Sequence, residues 1–446
     1  MKDNTITVLG AGPVGSLLSI FLRKKGFEVS VFEKREDYRT TANYAGRSIN
    51  IALSHRGFSA LAQVGLEERV KSIALPMYGR LIHKQDGEEE FQSYSYFNDA
   101  IYSVSRSEVN ALLIDEAEKL GVNFNFDQHC KRVDLKTNQI YFRNSNNDLT
   151  RVDNPKVCLG ADGAFSALRN ELIKFDRVDY SQQYLKHSYK ELHIEPNIDG
   201  TWRLRNDVLH IWPRKSFMLI ALPNRDGSFT CTLFLQTEGE LSFQTLNNEK
   251  SIYDFFRTYF VDVLNLIPDL ENQFLKNPVG SLVTIRCFPW YRRVGDSHYC
   301  ILGDAAHAIT PFYGQGMNCG FEDVSILNQI LGSEQNSVID WESCLQNFQK
   351  LRKANTDAIA TMAYQNFLEM RDGVVHEDYL ALLDFEKELH LHFPQFRNKY
   401  NRVSFSNEPY ADILAFSEKY VAWFKANKKA AKSELLAAFE KEFIKN

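Results

Sequence analysis

Near its N-terminus the chain runs an apolar strand, ITVL, into Gly10-Ala11-Gly12-Pro13-Val14-Gly15 and out again as the helix-patterned segment VGSLLSIFLRKKG. A second strand, EVSVFE, follows and ends on Glu33. Strand, glycine turn, helix and strand make a βαβ unit, which commits the chain to parallel strands covered by helices on both faces. Gly10 permits the tight turn, Gly12 lets the backbone approach a pyrophosphate, and Gly15 lets the helix pack on the sheet. The helix N-terminus offers N–H groups and a partial positive charge to phosphates. Glu33 stands where a carboxylate accepts from a ribose hydroxyl. The pattern predicts dinucleotide binding.

Two more buried strands end in a glycine–acid turn: Gly160-Ala161-Asp162-Gly163, with Arg169 following, and Gly303-Asp304-Ala305-Ala306-His307, with Pro311 following. Beyond the second turn, Gly314, Gly316 and Gly320 crowd a loop that opens a helix. Glycines at that density cost conformational entropy, so something requires the backbone to come close. Three separated segments converging on one nucleotide imply a long ligand, FAD rather than NAD. Between these pieces, residues 184–236 read as β-strands (YKELHI, VLHIWP, FMLIALP, FTCTLFLQ) with an Asp226-Gly227 hairpin signal. Beyond residue 331 the pattern is helical and ends in a lysine-rich tail, read as a solvated amphipathic helix.

With 446 residues the chain exceeds a single core. The expected fold class is α/β: a discontinuous FAD-binding Rossmann-like domain (1–75, 100–180, 281–330), an inserted antiparallel β-sheet substrate domain (76–99, 181–280), and a helical C-terminal region (331–446) closing the active site. A net charge of −5 gives no general pull toward nucleic acid or anionic lipid. The seven cysteines form no CxxC pair and read as reduced, structural thiols of a cytoplasmic protein. No metal-ligand spacing, Ser/His/Asp array, P-loop, signal peptide or transmembrane run is found. His307 and His55 read as structural. A monomer or homodimer is expected.

GAGPVG with Glu33, GADGAFSALR and GDAAHAITP resemble the three fingerprints of the FAD-dependent aromatic hydroxylases, the single-component flavoprotein monooxygenases. The resemblance covers about the first 330 residues. It implies that Asp304 binds the FAD ribityl chain, that Asp162 and Arg169 serve FAD and transient NADPH, and that Arg106, Gly316, Met317 and Asn318 complete the flavin site. Backbone N–H groups of the loop PFYGQGMNCG would lie near the flavin pyrimidine, which would account for its glycines.

Further stretches narrow the resemblance to the kynurenine 3-monooxygenase family: GRSINIALSHRG (46–57), YGRLIH (78–83), YKELHI (189–194), HIWPR (210–214), TCTLFL (230–235), PFYGQGMNCGFED (311–323) and YQNFLEM (364–370). That resemblance implies hydroxylation of L-kynurenine at C3 in tryptophan catabolism and NAD biosynthesis, with NADPH and O₂ as co-substrates and a flavin C4a-hydroperoxide as oxidant. No side chain need be catalytic, because the cofactor carries the chemistry. The implied substrate residues are Arg80, which pairs with the amino-acid carboxylate, Tyr94, Tyr400, Asn366, Glu369 and Phe312. Tyr313 stands where the family carries histidine or phenylalanine, and its role is open, as is the choice between Tyr94 and Tyr96. Another FAD-dependent hydroxylase or reductase of the same fold is the alternative.

Overall fold

A computed structural model describes residues 5–40, 50–332, 339–372 and 377–444. Residues 46–49 of the stretch GRSINIALSHRG lie outside the described residues. At the centre is a six-stranded sheet ordered Tyr291–Val294, Ser297–Ile301, Val157–Gly160, Thr5–Leu9, Glu28–Phe32, Asn123–Asn125. Its strands are parallel except for Tyr291–Val294 at one edge. The helix Pro13–Lys24 starts on a proline, whose missing N–H costs nothing at that position, and ends on Arg23 and Lys24. Its apolar residues Leu17, Leu18, Phe21 and Leu22 enter the core beneath the sheet.

The three strands that end in the glycine turns are immediate neighbours, Ser297–Ile301, Val157–Gly160 and Thr5–Leu9. Being parallel, they deliver all three turns to one edge. Thr5–Leu9 is also where the sheet order reverses, the position at which open α/β sheets bind ligands.

A second sheet has seven strands and includes Asp179–Ile194, Leu209–Arg214, Phe217–Pro223 and Phe229–Gln236, with Gly79–His83 joined parallel to Leu209–Arg214. Asp226 and Gly227 turn the expected hairpin, Gly227 at φ +88°. The strand Phe217–Pro223 sorts its side chains by the period of two. Phe217, Leu219 and Ala221 join the core under the helices Glu249–Tyr259 and Leu270–Lys276, while Met218, Ile220 and Leu222 face the other way. Those helices stand inside the span expected to be sheet. YKELHI ties them down, with buried Lys190 donating to the carbonyls of Phe274 and Asn277 at 2.6 and 2.7 Å. HIWPR acts likewise through Trp212 Nε1 to Asp262 at 2.6 Å.

Trp341, Leu345 and Phe348, on the 32-residue helix Trp341–Asp372, share the hydrophobic core of the parallel sheet. Gln349 accepts from the N–H groups of Trp290 and Tyr291. A division at residue 330 therefore cuts one core. The lysine-rich tail folds as Tyr410–Asn427 and Lys432–Phe439 around its own aromatic cluster of Phe385, Phe396, Tyr420, Phe424 and Phe439. No described helix is long and apolar enough to cross a membrane.

Candidate active site

The glycine turn after the first strand separates three physical roles. Gly10 holds φ +96°, and a Cβ there would meet the Ala161 carbonyl oxygen at 2.5 Å. A Cβ on Gly15 would lie 2.0 Å from the Gly10 carbonyl oxygen. A Cβ on Gly12 would meet nothing within 4 Å. The fold thus requires the first and third glycines but not the second, whose bare backbone faces open space. The turn is fixed on both sides. Glu33 Oε2 accepts the Ala11 N–H at 2.8 Å, while Asn110 Nδ2 donates to the Ala11 carbonyl at 2.9 Å. Asn110 was not anticipated, although a buried asparagine on the apolar side of RSEVNALLIDEAEKL is a readable signal.

The other turns add two acids. Asp162 Oδ2 accepts from the Ala167 N–H at 2.7 Å, whereas its Oδ1 is buried with no hydrogen-bond partner among the described residues. Burial raises the pKa of this carboxyl. Asp304 is exposed between the buried Gly303 and Ala305. Arg106 is exposed at the start of the helix Arg106–Lys119. Arg169 Nη1 and Nη2 donate to the carbonyls of Ala305 and Ala164 at 2.9 and 2.7 Å. In the loop, the helix Gly316–Ile330 makes its first internal bond from the Cys319 N–H to the Gln315 carbonyl at 2.8 Å. The N–H groups of Gly316, Met317 and Asn318 precede it and have no acceptor within the helix. The Asn318 side chain is spent internally, donating to Ala52 and Gly314 carbonyls and accepting from the Ser54 N–H.

A second constellation faces this loop. Arg80 lies with its guanidinium 4.7 Å from the Tyr400 ring centre and 5.6 Å from that of Tyr94. Tyr94 and Tyr400 stack at 5.0 Å, and Tyr313 stacks on Tyr400 at 5.6 Å. Tyr94 is 6 % exposed against 60 % for Tyr96, so only Tyr94 turns inward. Burial, then the neighbouring Tyr400, raises the Tyr94 pKa well above that of a free phenol, so it stays a protonated donor. Phe312 packs against Phe367 at 4.4 Å and Phe234 at 5.0 Å. Among the described residues, Ile220 packs against both the Phe312 cluster and the Tyr94 cluster. Asn366 Nδ2 donates to the Phe312 carbonyl at 2.7 Å. Glu369, three residues on, pairs with Lys399 at 2.7 Å beside Tyr400. Lys399 and the stacking of Tyr313 had no signal in the sequence, because each depends on a distant partner.

A profile of the family described as FAD binding domain matches residues 3–231 and 291–343. The kynurenine 3-monooxygenase of Christiangramia forsetii is 41% identical over 421 residues, 94% of this chain and 92% of that protein. The Dictyostelium discoideum kynurenine 3-monooxygenase is 44% identical over 423 residues, covering 92% of this chain and 90% of its own length. The chain belongs to the kynurenine 3-monooxygenase family. Among solved structures, a Klebsiella pneumoniae HpxO variant complexed with FAD matches with a TM-score of 0.65 at 17% identity over 93% of this chain and 98% of that one. The tetrameric form of 2-methyl-3-hydroxypyridine-5-carboxylic acid oxygenase matches with a TM-score of 0.66 at 16% identity, covering 83% of this chain and 94% of its own. Both likenesses concern the fold. As in other members of its family, this chain's cofactor is FAD. The open space over Gly12, the orphaned Asp162 oxygen and the exposed Asp304 fit a ligand with a pyrophosphate and a row of hydroxyl donors.

Behind the Gly303 turn lies a buried cluster. Asp323 Oδ2 accepts the Gly303 N–H at 2.9 Å and meets His307 Nε2 at 2.5 Å, and Oδ1 accepts from Arg352 Nε at 2.7 Å. His307, Asp323 and Cys319 present potential metal-ligand atoms within 4.8 Å of one another. Both Asp323 oxygens are already spent on hydrogen bonds, so the group holds its geometry as an ion-pair cluster. Burial alone would lower the His307 pKa, but the Asp323 carboxylate and the Cys319 thiol outweigh it and raise the value to about 10. Burial would likewise raise Asp323, but His307 and Arg352 bring it down to about 2. The raised His307 value means stabilisation that is complete below about pH 6.5 and lost as pH climbs toward 10. The lowered Asp323 value means stabilisation complete above the ordinary 3.8 and lost as pH falls toward 2. His307→Gln is therefore expected to lower the melting temperature most near neutral or mildly acid pH, with the gap to the unmutated protein closing toward pH 10. A gap that is constant from mildly acid to alkaline pH would contradict the charged pair.

Proposed function

We propose that this chain hydroxylates L-kynurenine at C3 with NADPH and O₂, giving 3-hydroxykynurenine. The observation that carries this reading is the cluster of Arg80 with Tyr94 and Tyr400, joined through Ile220 to the apolar cluster of Phe312 on the flavin loop. Bound FAD supplies the redox chemistry, accepting hydride from NADPH and activating O₂ for transfer of one oxygen atom.

The protein's part is placement and exclusion of water. Gly12, Glu33 and the first turn of the helix Pro13–Lys24 hold the adenosine diphosphate half of FAD. Asp162 and Asp304 would hold its linking chain, with Arg106 beside it. The N–H groups of Gly316, Met317 and Asn318 serve the isoalloxazine end, where a helix N-terminus favours negative charge. Arg80 pairs with the substrate carboxylate through its planar fork. The Tyr94 and Tyr400 hydroxyls complete that anchor, and Glu369, steadied by Lys399, faces the α-ammonium. With the amino-acid end fixed, Ile220 and Phe312 define where the aromatic ring lies, so that its C3 is held toward the flavin. Asn366 couples the helix to the Phe312 carbonyl, and the apolar wall of Met218, Ile220 and Phe234 keeps bulk water from the reacting oxygen.

The test is direct. The purified protein is expected to be yellow with FAD, and L-kynurenine is expected to accelerate NADPH oxidation and to yield a product heavier by one oxygen atom that originates in labelled O₂. A colourless protein that stays apo in excess FAD, or an unmodified kynurenine pool after NADPH is consumed, would overturn the proposal.

A further inference from the structure

Arg56 is buried, with 1 % exposure, in the helix His55–Ala62. Its contacts run in two directions. One guanidinium nitrogen, Nη1, pairs with Glu322 on the flavin-loop helix Gly316–Ile330. Nη2 donates to the Glu408 carbonyl, and Nε lies 3.5 Å from the Val403 carbonyl. Val403 is in the short helix Lys399–Phe405, which carries Tyr400, and Glu408 follows that helix. The face of the guanidinium lies 3.8 Å from the Tyr410 ring centre. The Tyr410 hydroxyl donates to Gln315 Oε1 at 2.9 Å, at the residue that precedes Gly316.

The linkage continues inward. Glu322 Oε2 meets Arg352 Nη1 at 2.6 Å, and Arg352 bonds Asp323, which holds the Gly303 N–H just before Asp304. One connected set of charges therefore joins the end of the Tyr400 helix to the two segments that hold the flavin. Arg56 is the member that spans the junction. A carbonyl that ends a helix is a natural partner for an arginine, but a surface lysine would serve that purpose. A fully buried guanidinium that uses two carbonyls, a carboxylate and a ring is costly to desolvate and is retained where geometry must be unique.

We infer that Arg56 is a positioning residue for the hydroxylation: it clamps the substrate-bearing helix Lys399–Phe405 to the flavin-loop helix, and so fixes the distance between the kynurenine ring and the flavin. This rests on the function proposed above. A displacement of about 1 Å at a reacting centre costs on the order of a hundredfold in rate, so loosening the clamp diverts turnover from hydroxylation to hydrogen peroxide, which NADPH and O₂ form without substrate attack.

The experiment uses the holoenzyme with Arg56→Lys and Arg56→Met. Lysine can still meet Glu322 but cannot also hold both carbonyls. Measured are FAD per chain, melting temperature, KM for kynurenine, kcat for NADPH oxidation, product and hydrogen peroxide per NADPH, and the rate of tryptic cleavage after Arg402. For Arg56→Lys the expected result is near-normal FAD content, KM raised about tenfold, product per NADPH at least halved with peroxide making up the difference, and cleavage after Arg402 accelerated about tenfold. Arg56→Met is expected to show the same changes more strongly. If it does not fold, Arg56→Lys decides. Variants whose flavin-loaded fraction keeps normal KM, normal coupling and a protected Arg402 would overturn the inference, even if their melting temperature falls. If the unmutated enzyme makes no 3-hydroxykynurenine, the functional proposal fails, while the Arg402 protection still reports on the clamp.

Discussion

Gly12→Val is expected to give a folded, colourless protein. A Cβ at Gly12 meets nothing within 4 Å, and the backbone there, at φ −70° and ψ 173°, is extended and open to any residue. The substitution therefore leaves the strand, the turn and the helix Pro13–Lys24 intact. The valine branches instead fill the space from which the helix N-terminus reaches a pyrophosphate. Losing those phosphate contacts is expected to weaken FAD binding by at least about a hundredfold, or roughly 2.8 kcal/mol at ~1.4 kcal/mol per tenfold. Flavin absorbance of the purified variant and titration of the apoprotein with FAD measure it. Gly15→Ala supplies the contrast. Its Cβ would lie 2.0 Å from the Gly10 carbonyl oxygen, so it should damage the fold itself. A Gly12→Val protein that purifies yellow would remove the pyrophosphate from this turn.

Arg80→Met is expected to keep its FAD and lose its grip on kynurenine. A zwitterion entering a dry aromatic pocket must have its carboxylate paired, or desolvation becomes prohibitive. Removing one partner of a buried, hydrogen-bonded charge pair costs ~2–5 kcal/mol. At ~1.4 kcal/mol per tenfold, kynurenine binding should weaken by roughly thirtyfold or more. The guanidinium lies against Tyr400 and Tyr94, not against the glycine turns at Gly12 and Asp304, so flavin content is expected to be unaffected. Arg80→Lys should recover only part of the loss, because an ammonium cannot reproduce the fork. Near-normal kynurenine affinity in Arg80→Met, measured by titration of the flavin spectrum, would place the carboxylate elsewhere.

What the sequence made legible was local. Each glycine–acid turn is a few residues long, and each follows a strand whose apolar run is plain, so the parallel sheet and its ligand edge followed from pattern alone. The hairpin at Asp226-Gly227 is another short-range signal. The helix Glu249–Tyr259 carries a readable signal, Ile252, Phe255, Phe256 and Tyr259 at i, i+3, i+4 and i+7 behind the Asn248 cap, but it lies in a stretch framed by strong strands, and Leu270–Lys276 is too short to give a periodic run. Candidate site residues could be proposed through family resemblance where they sit in distinctive strings, as Arg80 does in YGRLIH, and the structure brings Arg80 to Tyr94 and Tyr400. It was opaque where a residue acts through a remote partner. Nothing near Arg352 announces Asp323, and nothing near Arg56 announces Glu408. A change from loop to helix in the sequence does not reveal whose core the helix enters, and Trp341, Leu345 and Phe348, beyond residue 330, share the core of the parallel sheet.

That helix, Trp341–Asp372, is 32 residues long, about 48 Å at ~1.5 Å per residue. It begins in the core of the parallel sheet at Trp341, Leu345 and Phe348, bonds Asp323 through Arg352, and reaches Phe312 through Asn366 and Phe367. Nature and the protein engineer both face its rigidity when exchanging specificity between members of such a family. A substrate region cannot be grafted as a detachable module, because the splice must fall within one continuous rod. A single residue gained or lost between Arg352 and Asn366 turns everything beyond it by about 100°, which carries the Asn366 amide off the Phe312 carbonyl. Recombination along this stretch is therefore tolerated only in register, and diversification of the pocket is confined to point changes on the face that the rod already presents.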